Sequence, residues 1–142
     1  MKSINSVKIV EHFWTAVWKA RNPAAIDDFV VDDFVITTGG VDIESRQEFK
    51  QSESAFMEKI NDLKFEVLET FQNADGSRVA SRWRIAGKNN GLLGTPADQS
   101  PVSFTGTAVW AVGEDGKLHH NWVERSSYEL FQQLSDLQGR SI

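Results

Sequence analysis

Near its end the chain reads HHNWVERSSYE, residues 119–129, a run holding two histidines, a tryptophan, a glutamate, an arginine and two serines. On an extended strand, side chains alternate between faces, so His120, Trp122 and Glu124 share one face, opposite His119 and Asn121. A carboxylate held against an aromatic wall has its pKa raised toward neutrality, which would make Glu124 a candidate proton donor or acceptor. His120 is a second candidate, because an imidazole titrates near neutral pH and can serve as general base or donate to a ligand oxygen. Both residues also have structural readings. Glu124 could end a strand paired with Arg125 or Arg82, and His120 could be packed and hydrogen-bonded within a sheet. Ser126 and Glu129 have capping-box spacing, which makes Ser126 the expected N-cap of a terminal helix.

The five tryptophans, Trp14, Trp18, Trp83, Trp110 and Trp122, could wall a pocket for a flat apolar ligand or fill a core. Arg82 and Arg84 alternate with Trp83 and face away from it, toward an anion or toward carboxylates across a contact between two sheets. Asp42 and Glu44 flank Ile43 and read as a solvated turn that places negative charge ahead of a helix N-terminus. His12 lies in a helical stretch and His119 faces away from His120, so no histidine pair has metal-ligand spacing on one element and no metal is expected. The chain has no cysteine, which excludes disulfides and thiolate nucleophiles. With no G-x-S-x-G elbow, G-x-G-x-x-G fingerprint or P-loop, neither a hydrolase triad nor a nucleotide cofactor is indicated.

A net charge of −5 with no dense Lys/Arg stripe argues against nucleic acid as a partner. No apolar run approaches membrane-spanning length, and MKSINSVKIVEHF lacks the continuous apolar region of a secretion signal, so a cytoplasmic protein without a membrane partner is expected. The 142 residues fit one domain, able at that size to bury roughly 68–70% of the unfolded chain's surface.

These side chains need elements to hold them. Val7, Val10, Trp14, Val17 and Trp18 recur at helical spacing, widened by Ile9, Phe13 and Ala16. Asn22-Pro23 opens a short second helix, and Ser45 with Glu48 caps a third that carries Phe49, Phe56, Met57 and Ile60 on its apolar side. DFVITTGG reads as a strand, and later KFEVLETF, SRVASRWRIAG, SPVSFTGTAVWAV and KLHHNWVE follow with period two. Between them KNNGLLGTPADQ, residues 88–99, forbids a regular element and has the make-up of a loop bordering a binding site. Helices followed by a meander define an α+β domain with helices on one face of a curved antiparallel sheet.

FWTAVW, NPAAIDDFVVDDFVITTGG, SRWRIAG, GLLGTP, PVSFTGTAVW and the stretch from GKLHHNWVER to LFQQL together resemble the SnoaL-like proteins, the polyketide-cyclase branch of the nuclear transport factor 2-like superfamily, over nearly the whole chain. The resemblance implies a cone of curved antiparallel sheet closed by helices, an internal ligand cavity, and dimerisation through the sheet. It also implies a small apolar or oxygenated ligand, with acid–base cyclase or isomerase chemistry. The chain departs from the family pattern at sites of chemistry. Where members have histidine in G-x-H-x-G, the sequence GKNNG supplies Asn89. Where cyclases have aspartate in W-x-x-x-D, it supplies Ser126, which keeps a helix start without a titratable group. The pair usually written E-H before the tryptophan is His120 and Asn121.

The expected cavity is therefore lined by Trp14, Trp83, Asn89, Trp122 and Glu124, with the 88–99 loop at its mouth and Glu124 and His120 as the groups able to move protons. The alternative is a non-catalytic ligand-binding or dimerisation module, and the expected dimer face displays Arg82 and Arg84.

Overall fold

The structure, a computed structural model, describes residues 5–139. Helix α1 (Ser6–Phe13) runs without a break into a π-helical segment, Trp14–Lys19. Asn5 caps its start by accepting from the Lys8 N–H. A 3-10 turn over Pro23–Asp28 follows, with proline at the first helical turn as the sequence indicates, although the Asn22 side chain makes no capping bond. Strands β1 (Val30–Thr38) and β2 (Val41–Glu44) form a hairpin around Gly39 and Gly40, both at positive φ. Asp42 and Glu44 thus lie on a short edge strand and not in a turn, because the two glycines reverse the chain before them.

Helix α2 (Arg46–Glu58) begins as expected, the Ser45 hydroxyl accepting from the Glu48 N–H at 3.1 Å. Strands β3 (Ile60–Gln72), β4 (Arg78–Asn89), β5 (Pro101–Val112) and β6 (Leu118–Arg125) then meander before helix α3 (Ser127–Gly139). The sheet order is β2-β1-β6-β5-β4-β3. Every pairing is antiparallel except β1 with β6, which run parallel, Ile36 opposite Asn121. Register shifts in β3, β6 and β1 mark irregularities that bend the open sheet around the helices.

The concave face packs against α1, its π-helical extension and α2. Val10, Phe13, Val17, Phe34, Phe49, Trp110 and Leu118 are among the fully buried side chains. Gly106 lies opposite Trp83 across β4 and β5, and a Cβ there would overlap the indole ring, so this glycine lets the ring lie flat along the neighbouring strand. The convex face carries Arg82 and Arg84, as alternation indicates. Their carboxylate partners, however, are Glu69 at 2.7 Å and Glu66 at 3.0 Å on the adjacent strand β3. The registers Glu69–Arg82 and Glu66–Arg84 put these opposite charges side by side within one sheet, so no second molecule is needed to pair them.

The 88–99 loop is folded by Asn89, which is fully buried. Its amide nitrogen donates to Thr95 Oγ1, the Pro96 carbonyl and Asp98 Oδ1, and its amide oxygen accepts from the Gly91 and Leu92 N–H groups. Asn89 is therefore the hub of the loop and not a cavity residue, since both ends of its amide are taken up locally. Ser126 stands just before α3, and its carbonyl accepts the Leu130 N–H. Its hydroxyl does not cap the helix but pairs with the backbone of Thr105 on β5, accepting from that N–H and donating to that carbonyl.

Candidate functional site

Between the concave sheet face and the helices lies a cavity of about 30 Å³. Its walls come from Phe13, Trp14 and Trp18 of the first helix, Phe49, Glu53 and Phe56 of α2, Trp83 and Ile85 of β4, Trp110 of β5, and Asn121, Val123 and Arg125 of β6. The volume suffices for water or one small functional group, because a single water needs roughly 10–15 Å³ by this measure. A wider pocket of about 240 Å³, lined by Ile36, Thr38, Ser52, Glu53, Phe56, Lys59 and Arg125, lies beside it. Ile36, Glu53, Phe56 and Arg125 belong to both spaces and form the boundary between an inner chamber and an outer vestibule.

Helical spacing places Glu53. Phe49, Glu53, Phe56 and Met57 fall on one face of α2, which is pressed against the core. The Glu53 side is only 9% exposed, and burial pushes its carboxyl up to about 7, against the opposing pull of the Arg125 guanidinium. No carboxylate lies within salt-bridge distance of Arg125 among the described residues. It stacks over the Phe56 ring at 4.5 Å and donates a long hydrogen bond, 3.4 Å, to Thr38 Oγ1.

Among the described residues, three further side-chain polar atoms are buried without a partner: Trp83 Nε1, Trp110 Nε1 and Asn121 Oδ1. All three residues line the inner chamber, and Trp110 faces Asn121 directly across β5 and β6. Buried donors and acceptors are ordinarily satisfied, so two donors and one acceptor left open on residues that line one small space have capacity for water or for a polar group of that size. Trp14 is different, because its Nε1 donates to Ser81 Oγ at 3.0 Å, and that hydroxyl is in turn bonded to Thr70.

Of the residues expected to line the cavity, Trp14 and Trp83 do so, whereas Asn89, Trp122 and Glu124 do not. On β6 it is Asn121, Val123 and Arg125 that point inward. His120, Trp122 and Glu124 lie on the convex face, because Trp122 pairs with Val109 and Glu124 with Thr107, the outward residues of β5. There Trp122 stacks on His120 at 3.9 Å, beneath the Arg78 guanidinium. The Thr37 hydroxyl donates to Asp42 at 2.6 Å and so accepts from His120 Nε2 at 2.8 Å. Burial holds the His120 imidazole below its usual pKa, with Asp42 opposing and Arg78 adding to that effect. Glu124 is exposed on the convex face. The expected pair of proton-moving groups is thus on the wrong side of the sheet to reach the cavity, and the carboxyl inside it is Glu53. Its sequence signal was a glutamate four residues from both Phe49 and Met57 within an apolar stripe.

A curved, unclosed sheet wrapped around N-terminal helices is the architecture of the nuclear transport factor 2/ketosteroid isomerase-like fold. Residues 8–134 match the family model of the SnoaL-like polyketide cyclases, and the chain belongs to that family. A protein assigned as a SnoaL-like polyketide cyclase from Jannaschia sp. CCS1 superposes with a TM-score of 0.81 at 15% identity, covering 92% of this chain and 91% of its own. A Catenulispora acidiphila protein with a ketosteroid isomerase-like fold, solved with trimethylamine, gives 0.71 at 13% identity, with 94% and 95% covered. An LEH-like epoxide hydrolase of M. tuberculosis gives 0.68 at 17% identity, with 91% and 84% covered. These likenesses concern the fold. No curated protein matches the sequence. Among the described residues, no helix is long and apolar enough to cross a membrane.

Proposed function

We propose that the cone binds a small, largely apolar, oxygenated molecule and that Glu53 moves a proton on it, in chemistry of the cyclase or isomerase type. The observation that carries this reading is the Glu53 carboxyl itself, poised at about 7 in an aromatic chamber. A carboxyl with that pKa is divided between acid and base forms at neutral pH, the condition under which general acid–base catalysis works best. As base, it takes a proton from the carbon beside a carbonyl, and the electron pair moves onto the carbonyl oxygen. Trp110 Nε1 and Trp83 Nε1 supply fixed donors for that oxygen, and Asn121 Oδ1 accepts from a neighbouring hydroxyl. The inner chamber takes only the reacting group, while the body of the ligand occupies the vestibule.

The test uses 1-tetralone in deuterated water. The protein should speed deuterium uptake beside the carbonyl, and Glu53→Gln should abolish that acceleration while leaving the ligand's effect on tryptophan fluorescence in place. Absence of exchange, together with a Glu53 carboxyl that titrates by NMR in the ordinary carboxylate range, would remove the proposal.

The expectation of a homodimer through the sheet is retained as part of this proposal, on a different observation. Phe71, Ala80, Val109 and Trp122 are consecutive partners across four strands of the convex face. Phe71 and Trp122 are 55% and 37% exposed, an apolar band suited to a second copy.

A further inference from the structure

The geometry points to Arg125 as the receptor for a carboxylate on the ligand, so that the molecule entering the cone is an aryl or alicyclic acid whose acid group stops at the chamber's threshold. This inference deepens the acid–base reading of the same cavity and rests on it. Arg125 is half-buried at the end of β6, at the boundary shared by chamber and vestibule. A guanidinium carries five N–H donors, and among the described residues only one is engaged, in the long bond to Thr38. Its stack on Phe56, 4.5 Å from the ring centre, holds the guanidinium through its face, and the N–H donors lie along its edge. A planar fork so placed matches a carboxylate, which it binds through two parallel hydrogen bonds. Beyond the threshold, the orphaned Trp83 and Trp110 donors and the Asn121 acceptor meet the oxygen functions of the ligand.

Glu53 makes this binding depend on pH. The charged groups facing it are Arg125 from β6 and Lys59 from the end of α2, with the neutral Thr38 on β1. The Arg125 charge favours ionised Glu53. A bound carboxylate cancels that charge and repels an ionised Glu53, so binding draws a proton onto Glu53 at neutral pH, and the base form that takes the ligand's proton is regained as pH rises. Affinity for the acid must therefore fall as pH rises through neutrality, and binding must be accompanied by proton uptake.

The experiment compares 2-naphthoate with 2-naphthamide by tryptophan fluorescence and calorimetry at pH 6 and pH 8. The protein should prefer the naphthoate by at least about tenfold at pH 6, the worth of one charge-assisted contact. That preference should shrink at pH 8, disappear in Arg125→Met, and become independent of pH in Glu53→Gln. In the unsubstituted protein the Arg125 side-chain N–H resonances should shift with naphthoate and not with naphthamide, which keeps the test decisive if Arg125→Met fails to fold. Equal affinities, a preference that survives Arg125→Met, or no binding of either compound would overturn the assignment. Naphthamide binding without naphthoate preference, combined with tetralone exchange that still depends on Glu53, would overturn it while leaving the acid–base reading intact.

Discussion

Glu53 and Asn89 illustrate two opposite uses of a buried polar side chain. Glu53 is held away from water with no compensating hydrogen bond, and its carboxyl is raised from 4.5 to about 7. In the unfolded chain it titrates in the ordinary range, so the folded state holds the extra proton between those two values. The stability linked to this protonation is full below about 4.5 and is lost as pH rises through about 7. The loss amounts to about 3 kcal/mol, the shift multiplied by about 1.36 kcal/mol per unit. Glu53→Gln should therefore flatten the pH dependence of the melting temperature and make the protein more stable than its parent at pH 8, which thermal melts across pH 5–8 would show. Asn89 is the reverse case, with its donors and acceptor all bonded inside one loop. Asn89→Ala should cost about 2–4 kcal/mol in chemical denaturation, because several backbone groups lose their partner at once.

The elements themselves were largely readable. Period two in SRWRIAG put Trp83 and Ile85 opposite Arg82 and Arg84, and the capped start of α2 and three of the long strands lie where pattern and punctuation put them, whereas Ile60, read as part of the helix, opens β3. What alternation could not supply was the sign of the β6 face. Residues 120–125 alternate cleanly, yet both faces hold one aromatic or aliphatic residue among polar ones. Only the pairing of Trp110 with Asn121 decides that Asn121, Val123 and Arg125 face the cone. A tryptophan on a strand signals burial in general. Trp122 departs from that tendency, stacking on His120 on the convex side while staying 37% exposed. Glu53 was hidden for a different reason, since a charged residue inside a helical stripe reads as a solvent-facing interruption until the packing partner of that stripe is known. At this scale Gly106→Ala should push the Trp83 ring from its place along β5. The expected cost is about 1–3 kcal/mol, with a change in near-ultraviolet circular dichroism where indole packing is reported.

For the molecule as a whole, the proposed reading gives the two faces of the sheet different roles, chemistry within the concave side and association on the convex one. The band from Phe71 to Trp122 is bordered by the Glu69–Arg82 pair, already neutralised within the chain, so a second copy docking there would meet apolar surface without having to supply counter-charges. Sedimentation at micromolar concentration should give a dimer, and Trp122→Glu should yield monomers that keep the Glu53 titration. A monomer in the parent protein, or a dimer insensitive to Trp122→Glu, would contradict this arrangement.

The parallel contact between β1 and β6 also sets a timetable. Ile36 leaves the ribosome well before its partner Asn121, so β1 waits for α2 and three further strands to be made before one of its edges is covered. Until then the concave wall lacks Asn121, Val123 and Arg125, and the helices have made only part of the surface they will seal. β3, β4 and β5 can zip together locally as they emerge, but β6 has to pair with both β5 and β1 before the open ribbon becomes a chamber. The cone is thus assembled after synthesis of its last strand, and a nascent chain stalled before residue 118 carries an unpaired β1 edge exposed to whatever strand reaches it first.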